Sequence, residues 1–109
     1  MYQPSKHVDT FVVAGFQHHD GALVFDQLKV GARVELVPEF DNPYDPNAIA
    51  LYFQDTMIGY VPAAKNSMLA LLSYYGHADV FECRILQVDP EANPWEQVRV
   101  GIYVTDARR

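Results

Sequence analysis

The side chains best suited to binding a ligand lie in one turn of the sequence FDNPYDPNAIALYF, residues 40 to 53. Tyr44 and Asp45 lie between Pro43 and Pro46, and each proline fixes its own backbone φ angle. The prolines therefore predict an aromatic ring and a carboxylate held in a nearly fixed relation, which lowers the entropy cost of binding. Such a pair could recognise a ligand that carries a ring and a hydroxyl group.

The same turn also has a purely structural interpretation. Pro43 suits the second position of a type I turn that Asn42 opens, since an asparagine side chain can accept a hydrogen bond from the backbone two residues on. Pro46 and Asn47 can form a second turn after Asp45 by the same chemistry. On these residues alone the structural interpretation is favoured, although it gives no reason for a tyrosine in the turn.

The pair His18 and His19, followed by Asp20, is a candidate for metal binding. Adjacent residues of a regular strand point to opposite faces, so both imidazoles cannot readily ligate one ion. A structural zinc site would also need further histidines or cysteines at ligand spacing, and the sequence has none. A bend at Gly21 would instead leave one histidine free to lie over the predicted sheet.

The acidic turn does not match a calcium loop. Counting from Asp41, the sixth residue is Pro46 and the twelfth is Tyr52, where an EF-hand needs glycine and glutamate. The sequence also has no nucleophile elbow and no phosphate-binding glycine loop. It therefore predicts a protein that is not an enzyme and has no cofactor and no metal.

The elements that must position these residues are mainly strands. Enrichment in β-branched and aromatic residues, or alternation of apolar with polar residues, predicts strands at 10–16, 32–37, 48–53, 57–61, 78–88 and 97–104. Five or six strands with one main α-helix predict a mainly β fold, a small antiparallel OB-like barrel.

The one predicted helix covers residues 63–76, with Gly76 as its C-terminal stop. Its apolar stripe, which is expected to face the core, consists of Ala64, Met68, Leu71, Leu72 and Tyr75.

Length and composition predict a single domain over residues 1–109, with a core of about 10–105 and mobile tails at 1–9 and 106–109. The lone Cys83 cannot form an internal disulfide, and its apolar surroundings predict a buried thiol in a reducing compartment. The N-terminus lacks the apolar stretch of a signal peptide, and no window reaches 18 uninterrupted apolar residues. A cytoplasmic protein without membrane contact is expected.

The charge balance argues against general affinity for nucleic acid. Fourteen acidic residues oppose eight lysines and arginines, which gives a net charge of −6. An acidic chain repels phosphate polyanions at long range, so binding to duplex DNA regardless of sequence should be poor. Any nucleic-acid function must depend on a local pocket.

Three segments in order, VAGFQHHDG, EFDNPYDPNAIAL and MIGYVPAAKN, resemble the HIRAN domain. The resemblance covers roughly residues 10–105, and its most specific parts are the octapeptide NPYDPNAI, 42–49, and Ile58-Gly59-Tyr60. This family occurs at the N-terminus of fork-remodelling ATPases of the SWI/SNF type and as small bacterial modules. The resemblance implies an OB-like barrel that captures the 3′ end of single-stranded DNA in DNA repair, by stacking a base on aromatic rings and hydrogen-bonding the free 3′ hydroxyl.

Residue by residue, the resemblance implies a nucleic-acid site formed by Asn42, Tyr44, Asp45, His18, Tyr60 and Lys65. A carboxylate repels every phosphate, so Asp45 helps only where the ligand offers a hydrogen-bond donor, and the terminal hydroxyl is such a donor. The sequence departs from the family at three places. His18 and His19 replace paired aromatics, and Pro38 replaces an arginine. The lysine expected shortly after Tyr60 is displaced to Lys65.

These departures leave a second function open, that of a protein-interaction or scaffold domain that keeps the barrel and has lost DNA binding. It predicts an exposed apolar patch around Trp95 and Tyr103 that contacts a protein partner or a second copy of the chain. RNA remains an alternative to DNA as the ligand.

Overall fold

The structure is a computed structural model that describes residues 5–105. Its strands and its α-helix follow one another as β1 (Ser5–Val12), β2 (Arg33–Pro38), β3 (Ile49–Phe53), β4 (Thr56–Tyr60), α1 (Ser67–Tyr74), β5 (Phe81–Val88) and β6 (Val98–Thr105). Short 3-10 helices lie at Phe16–His18, Asp20–Gln27, Ala63–Lys65, Ala78–Val80 and Pro94–Glu96. The prediction of a mainly β fold with one main α-helix is confirmed.

The six strands form one antiparallel sheet in the order β1-β6-β5-β2-β3-β4. The sheet curls until its two outer strands meet just beyond the end of β1. There the backbone N–H of Ala14 donates to the carbonyl of Tyr60, and the N–H of Tyr60 donates to the carbonyl of Ala14, both at 2.9 Å. The outer strands share this one bridge rather than a continuous ladder, so the sheet is an OB-like barrel that is not fully closed.

The first strand begins earlier than the sequence predicts. Residues 5–9 were expected to belong to a mobile tail, but they form the first half of β1 and pair with β6, with Ser5 opposite Thr105. This part of the prediction is wrong because the ladder uses backbone groups, which polar side chains do not prevent from pairing. Residues 1–4 and the predicted C-terminal tail 106–109 lie outside the described part of the chain.

The core lies between the curled sheet and α1. Alternate residues of the strands face inward, and the most deeply buried side chains are Val13, Ile49, Leu51, Ile58, Cys83, Ile85, Val98, Val100 and Ile102. Cys83 is 2% exposed, as predicted, and burial raises the pKa of its thiol to about 12.

The helix faces the core with a different side from the one predicted. Met68, Leu71 and Tyr75 of the predicted stripe are at least half exposed, whereas Leu69 and Ala70 are 3% exposed. The α-helix is only eight residues long, and SMLALLSY is apolar on nearly every side, so periodicity cannot select the buried face.

The predicted stop of the helix is confirmed. Gly76 has a φ of 86°, its N–H donates to the carbonyl of Ser73, and the N–H of His77 donates to the carbonyl of Leu72. These two bonds form a Schellman motif, which satisfies carbonyls that the helix end leaves free. In the part of the chain that is described, no helix has the length and apolarity needed to cross a bilayer.

Gly59 allows the two edges of the sheet to approach. Its φ is 154°, and a Cβ at this position would lie 2.6 Å from the carbonyl oxygen of Ala14. A side chain would therefore push β4 away from the segment that follows β1. The glycine is thus needed for the bridge that holds Tyr60 in place.

Candidate functional site

The turn between β2 and β3 is built by side chains that accept hydrogen bonds from its own backbone. Asn42 Oδ1 accepts from the N–H of Tyr44 at 2.8 Å and from that of Asp45 at 3.1 Å. Asp45 Oδ1 accepts from the N–H of Asn47 at 2.9 Å. Two successive turns therefore form as the residue chemistry predicts, and Asn42 serves the turn rather than projecting as a free ligand-binding group.

Tyr44 points away from the protein. Its side chain lies at the tip of the turn, and the residue is 95% exposed. The backbone beneath it is fixed, because its N–H is bonded to Asn42 and prolines lie at positions 43 and 46. An aromatic ring that is fully exposed on a rigid turn contributes nothing to the core, so its position is suited to stacking on a ligand.

Asp45 is half-buried and is tied to the helix. Its Oδ2 accepts a hydrogen bond of 2.9 Å from Nδ2 of Asn66, a residue that is 2% exposed and precedes α1 directly. Each carboxylate oxygen thus accepts one hydrogen bond within the protein and retains capacity for a second. The carboxylate is oriented by the fold without being saturated by it.

Tyr60 lies at the end of β4, and its hydroxyl is engaged within the protein. It donates to Glu39 Oε1 at 2.8 Å, and the same oxygen accepts from Nδ2 of Asn42 at 3.0 Å. Burial, together with the hydrogen bond and the negative charge of Glu39, raises the pKa of Tyr60 to about 12. The hydroxyl therefore stays protonated at neutral pH, and the ring is the part of Tyr60 that a ligand can contact.

These side chains surround a groove of about 340 Å³ between the turn and the start of the helix, which we call the end groove. Its lining residues are Ala14, Asn42, Tyr44, Asp45, Ala48, Tyr60, Val61, Ala63 and Asn66. Four of the six predicted site residues line it together. Among the described residues that line it, Asp45 carries the one charge.

The other two predicted site residues, His18 and Lys65, do not line the end groove. His18 is exposed on a 3-10 turn, and it is His19 that packs edge-on against Tyr60, with ring centroids 5.6 Å apart. Lys65 Nζ lies 3.4 Å from Asp9 Oδ1, where both side chains are exposed. The alternation expected of a strand fails here because residues 16–18 form a 3-10 helix.

Sequence reasoning missed Asn66, Glu39 and His19. Asn66 has a recognisable signal, because asparagine directly before a helix is a common N-cap. Here its side chain bonds Asp45 instead of capping α1, and the contact joins residues 21 apart in the sequence. No local pattern could have indicated that pairing.

The apolar patch predicted around Trp95 and Tyr103 is not a single surface. Trp95 is exposed on the turn that precedes β6, while Tyr103 is half-buried near the other end of that strand, against His7. Five residues of β6 span about 17 Å, at roughly 3.3 Å per residue. One group of exposed apolar side chains does lie together around α1, namely Phe40, Leu71, Tyr74 and Tyr75.

Potential metal ligands are dispersed as well. Among residues 5–105, no three histidine, cysteine, aspartate or glutamate side chains come together in an arrangement that could hold an ion.

An OB-like sheet with an open groove, in which an exposed ring lies next to a half-buried carboxylate, defines a small ligand-binding domain. The profile of the HIRAN domain matches residues 8–105, so the chain belongs to the HIRAN family. The HIRAN domain is a nucleic-acid-binding module and is not a catalytic domain.

Solved structures show the same fold. The crystal structure of a protein from Lactobacillus plantarum is similar over 92% of this chain and 94% of its own, with a TM-score of 0.76 and 25% sequence identity. The HIRAN domain of human HLTF is similar over 94% of this chain and 82% of its own, with a TM-score of 0.60 and 15% identity. No curated protein matches the sequence.

Proposed function

We propose that the end groove binds the 3′-hydroxyl end of single-stranded DNA, with Tyr44 stacking on a base and Asp45 accepting a hydrogen bond from the terminal hydroxyl. The observation that carries the proposal is the pairing of an exposed ring with an oriented, unsaturated carboxylate in one groove. Family membership supports nucleic acid as the ligand class.

The charge of the end groove favours an end over the interior of a strand. The described residues that line the end groove include no lysine or arginine to neutralise a phosphate, and the one charge among them is negative. A phosphodiester placed beside Asp45 would be repelled and would offer no donor in return. A terminal hydroxyl offers that donor, so the site can reject internal strand while tolerating any base sequence, because stacking ignores base identity.

The remaining groups orient these two. Asn66 donates a hydrogen bond to one oxygen of Asp45, and Asn42 accepts one from the backbone N–H of Tyr44. Tyr60 lines the groove, and its hydroxyl is held by a hydrogen bond to Glu39. The role of each is non-covalent, so the proposed activity is binding without catalysis.

The experiment is a fluorescence-anisotropy titration with 5′-labelled oligothymidylates that end in a 3′ hydroxyl or a 3′ phosphate. Wild-type protein should prefer the hydroxyl end by about tenfold or more, since hydrogen bonds to charged groups contribute about 1.5–3 kcal/mol. Asp45→Ala should abolish the preference. An unchanged preference in this variant would exclude the role of Asp45.

Two controls separate chemistry from architecture. Asp45→Asn keeps the shape of the side chain and an acceptor for the N–H of Asn47 while removing the charge, so it should reduce the discrimination against phosphate. Its amide N–H keeps a bond to Asn66 only when the Asn66 amide turns to present its oxygen, so urea denaturation of this variant accompanies the titration. An oligoribonucleotide of the same length, ending in a 3′ hydroxyl, tests RNA as the ligand. The alternative function, a protein-interaction domain, predicts that wild-type protein binds none of these ends.

A further inference from the structure

A second groove is lined in part by the residues that follow the hydrogen-bonded pair Asp45 and Asn66 in the chain. Its volume is about 460 Å³, which is within the range of about 300–1,000 Å³ typical of ligand sites. It is lined by Phe40, Pro46, Asn47, Ser67, Ala70, Leu71, Tyr74 and Tyr75. Pro46 and Asn47 follow Asp45 directly, and Ser67 follows Asn66, so the two grooves share one wall.

Three aromatic rings of the second groove form an exposed series. The centroids of Phe40 and Tyr74 are 5.3 Å apart at 86°, and those of Tyr74 and Tyr75 are 5.1 Å apart at 77°. In each edge-to-face contact the edge of one ring lies against one face of the other, so the opposite face of each ring is not used by that contact. Tyr74 is 65% exposed and Tyr75 is 67% exposed, so their faces are open to a planar ligand.

The described lining of the second groove is uncharged. The chain has 14 acidic residues, yet within residues 5–105 those that line this groove include neither a carboxylate nor a cation. A basic peptide would gain nothing from such a wall, whereas a strand with its phosphates turned to solvent meets no repelling group there. Stacking on aromatic rings is the interaction by which proteins hold single strands without base preference.

We propose that the second groove binds the next bases of the same single strand, upstream of the end held in the end groove. This inference rests on the proposed function, because it requires the strand to leave the end groove across Pro46 and Asn47. The exposed face of α1 then contacts the strand, and the two grooves together bind several consecutive nucleotides.

The test is the dependence of affinity on length, measured by anisotropy with 5′-labelled oligothymidylates of two, four and six nucleotides with 3′-hydroxyl ends. The affinity of wild-type protein should increase about tenfold or more between two and six nucleotides, as stacking of one or two further bases predicts. The double variant Tyr74→Ala/Tyr75→Ala should lose most of this gain and keep the preference for a 3′ hydroxyl over a 3′ phosphate.

Two further variants complete the design. Met68→Ala removes another exposed apolar side chain of α1 that does not line the second groove, and it should keep the full gain. Tyr74→Leu/Tyr75→Leu keeps apolar area for the fold and removes the rings, so it should lose the gain as the alanine variant does.

The outcomes distinguish the two proposals. An equal gain with length in wild type and in both double variants would overturn the second groove and leave end recognition intact. If wild-type protein showed no hydroxyl preference but kept the gain with length, end recognition would be overturned, and with it the placement of the second groove upstream of a bound end; only stacking of single strand on these rings would stand. Absence of all binding would overturn both proposals. A wild-type dimer in sedimentation velocity that dissociates in the double variants would assign this surface to a second copy and overturn the inference.

Discussion

Tyr44 and Asp45 are consecutive residues with opposite environments. The ring of Tyr44 is almost fully exposed, while the carboxylate of Asp45 is half-buried and accepts hydrogen bonds from Asn47 and Asn66. The prolines on either side and the side chain of Asn42 fix the backbone that joins them. The structural interpretation of the turn is confirmed, and the binding role that we propose depends on it, since the rigid turn presents the two groups.

The first prediction for single residues concerns the ring of Tyr44. Tyr44→Ala should weaken binding of a 3′-hydroxyl oligothymidylate by about tenfold, because stacking contributes about 1–3 kcal/mol per base, and Tyr44→Phe should bind nearly as well as wild type. Thermal denaturation should give the same midpoint for all three proteins, since the side chain is exposed. Equal losses of affinity in the two variants would argue against stacking.

The second prediction concerns the bond between helix and turn. Asn66→Ala should lower the free energy of unfolding by about 1–3 kcal/mol, because it removes a buried side chain hydrogen-bonded to a carboxylate. Asn47→Ala is the matched control, since Asn47 is exposed and gives the turn its backbone N–H, which alanine keeps. Urea denaturation measures both, and similar small losses would show that the bond contributes little.

The elements place these residues by contacts that are distant in sequence. A single bridge between Ala14 and Tyr60 connects the two edges of the sheet, and a hydrogen bond from Asn66 to Asp45 connects the start of α1 to the turn. Strand patterns predicted the sheet because alternation reports which side of a strand is buried. They did not predict the buried face of α1, where nearly every residue is apolar, or the position of His18, which lies on a 3-10 helix just beyond the segment 10–16 predicted as a strand.

For the packing of the strands against one another, the prediction concerns Gly59. Gly59→Ala should destabilise the protein by more than about 2 kcal/mol, because the new Cβ would overlap the carbonyl of Ala14 in addition to the cost of the backbone conformation. Gly31→Ala is the control, since its φ is 91° but a Cβ there would meet nothing within 4 Å. If chemical denaturation gave the two variants equal stability, the close approach of the sheet edges would not be the reason that position 59 needs a glycine.

The whole molecule is acidic, and this shapes the binding that it can perform. With a net charge of −6 and no cation among the described residues that line the end groove, the proposed binding must derive its affinity from local stacking and hydrogen bonds rather than from counterion release. The fold class could be predicted because strand patterns are local features. Four of the six residues predicted for the site line one groove, and their role in binding stays a prediction. Lys65 could not be placed, because its ion pair with Asp9 depends on how the 3-10 helix before α1 meets β1.

Salt dependence tests this feature of the whole molecule. The slope of log K against log salt concentration should lie between zero and about −0.7, which corresponds to at most one phosphate neutralised on a single strand. Ala63→Lys places a cation in the end groove and should increase both the affinity and the steepness of the slope by about one such contact. A steep slope in wild-type protein would show that unidentified basic contacts dominate the binding.

The most direct measurement compares two oligothymidylates that are identical except for the last sugar, one with a 3′ hydroxyl and one with a 2′,3′-dideoxy end. This pair removes the donor without adding charge or bulk, so the ratio of dissociation constants reports the hydrogen bond to Asp45 alone. We expect wild-type protein to bind the hydroxyl end about tenfold more tightly and Asp45→Ala to bind the two equally. Equal affinity of wild-type protein for the two ends would contradict end recognition by this groove.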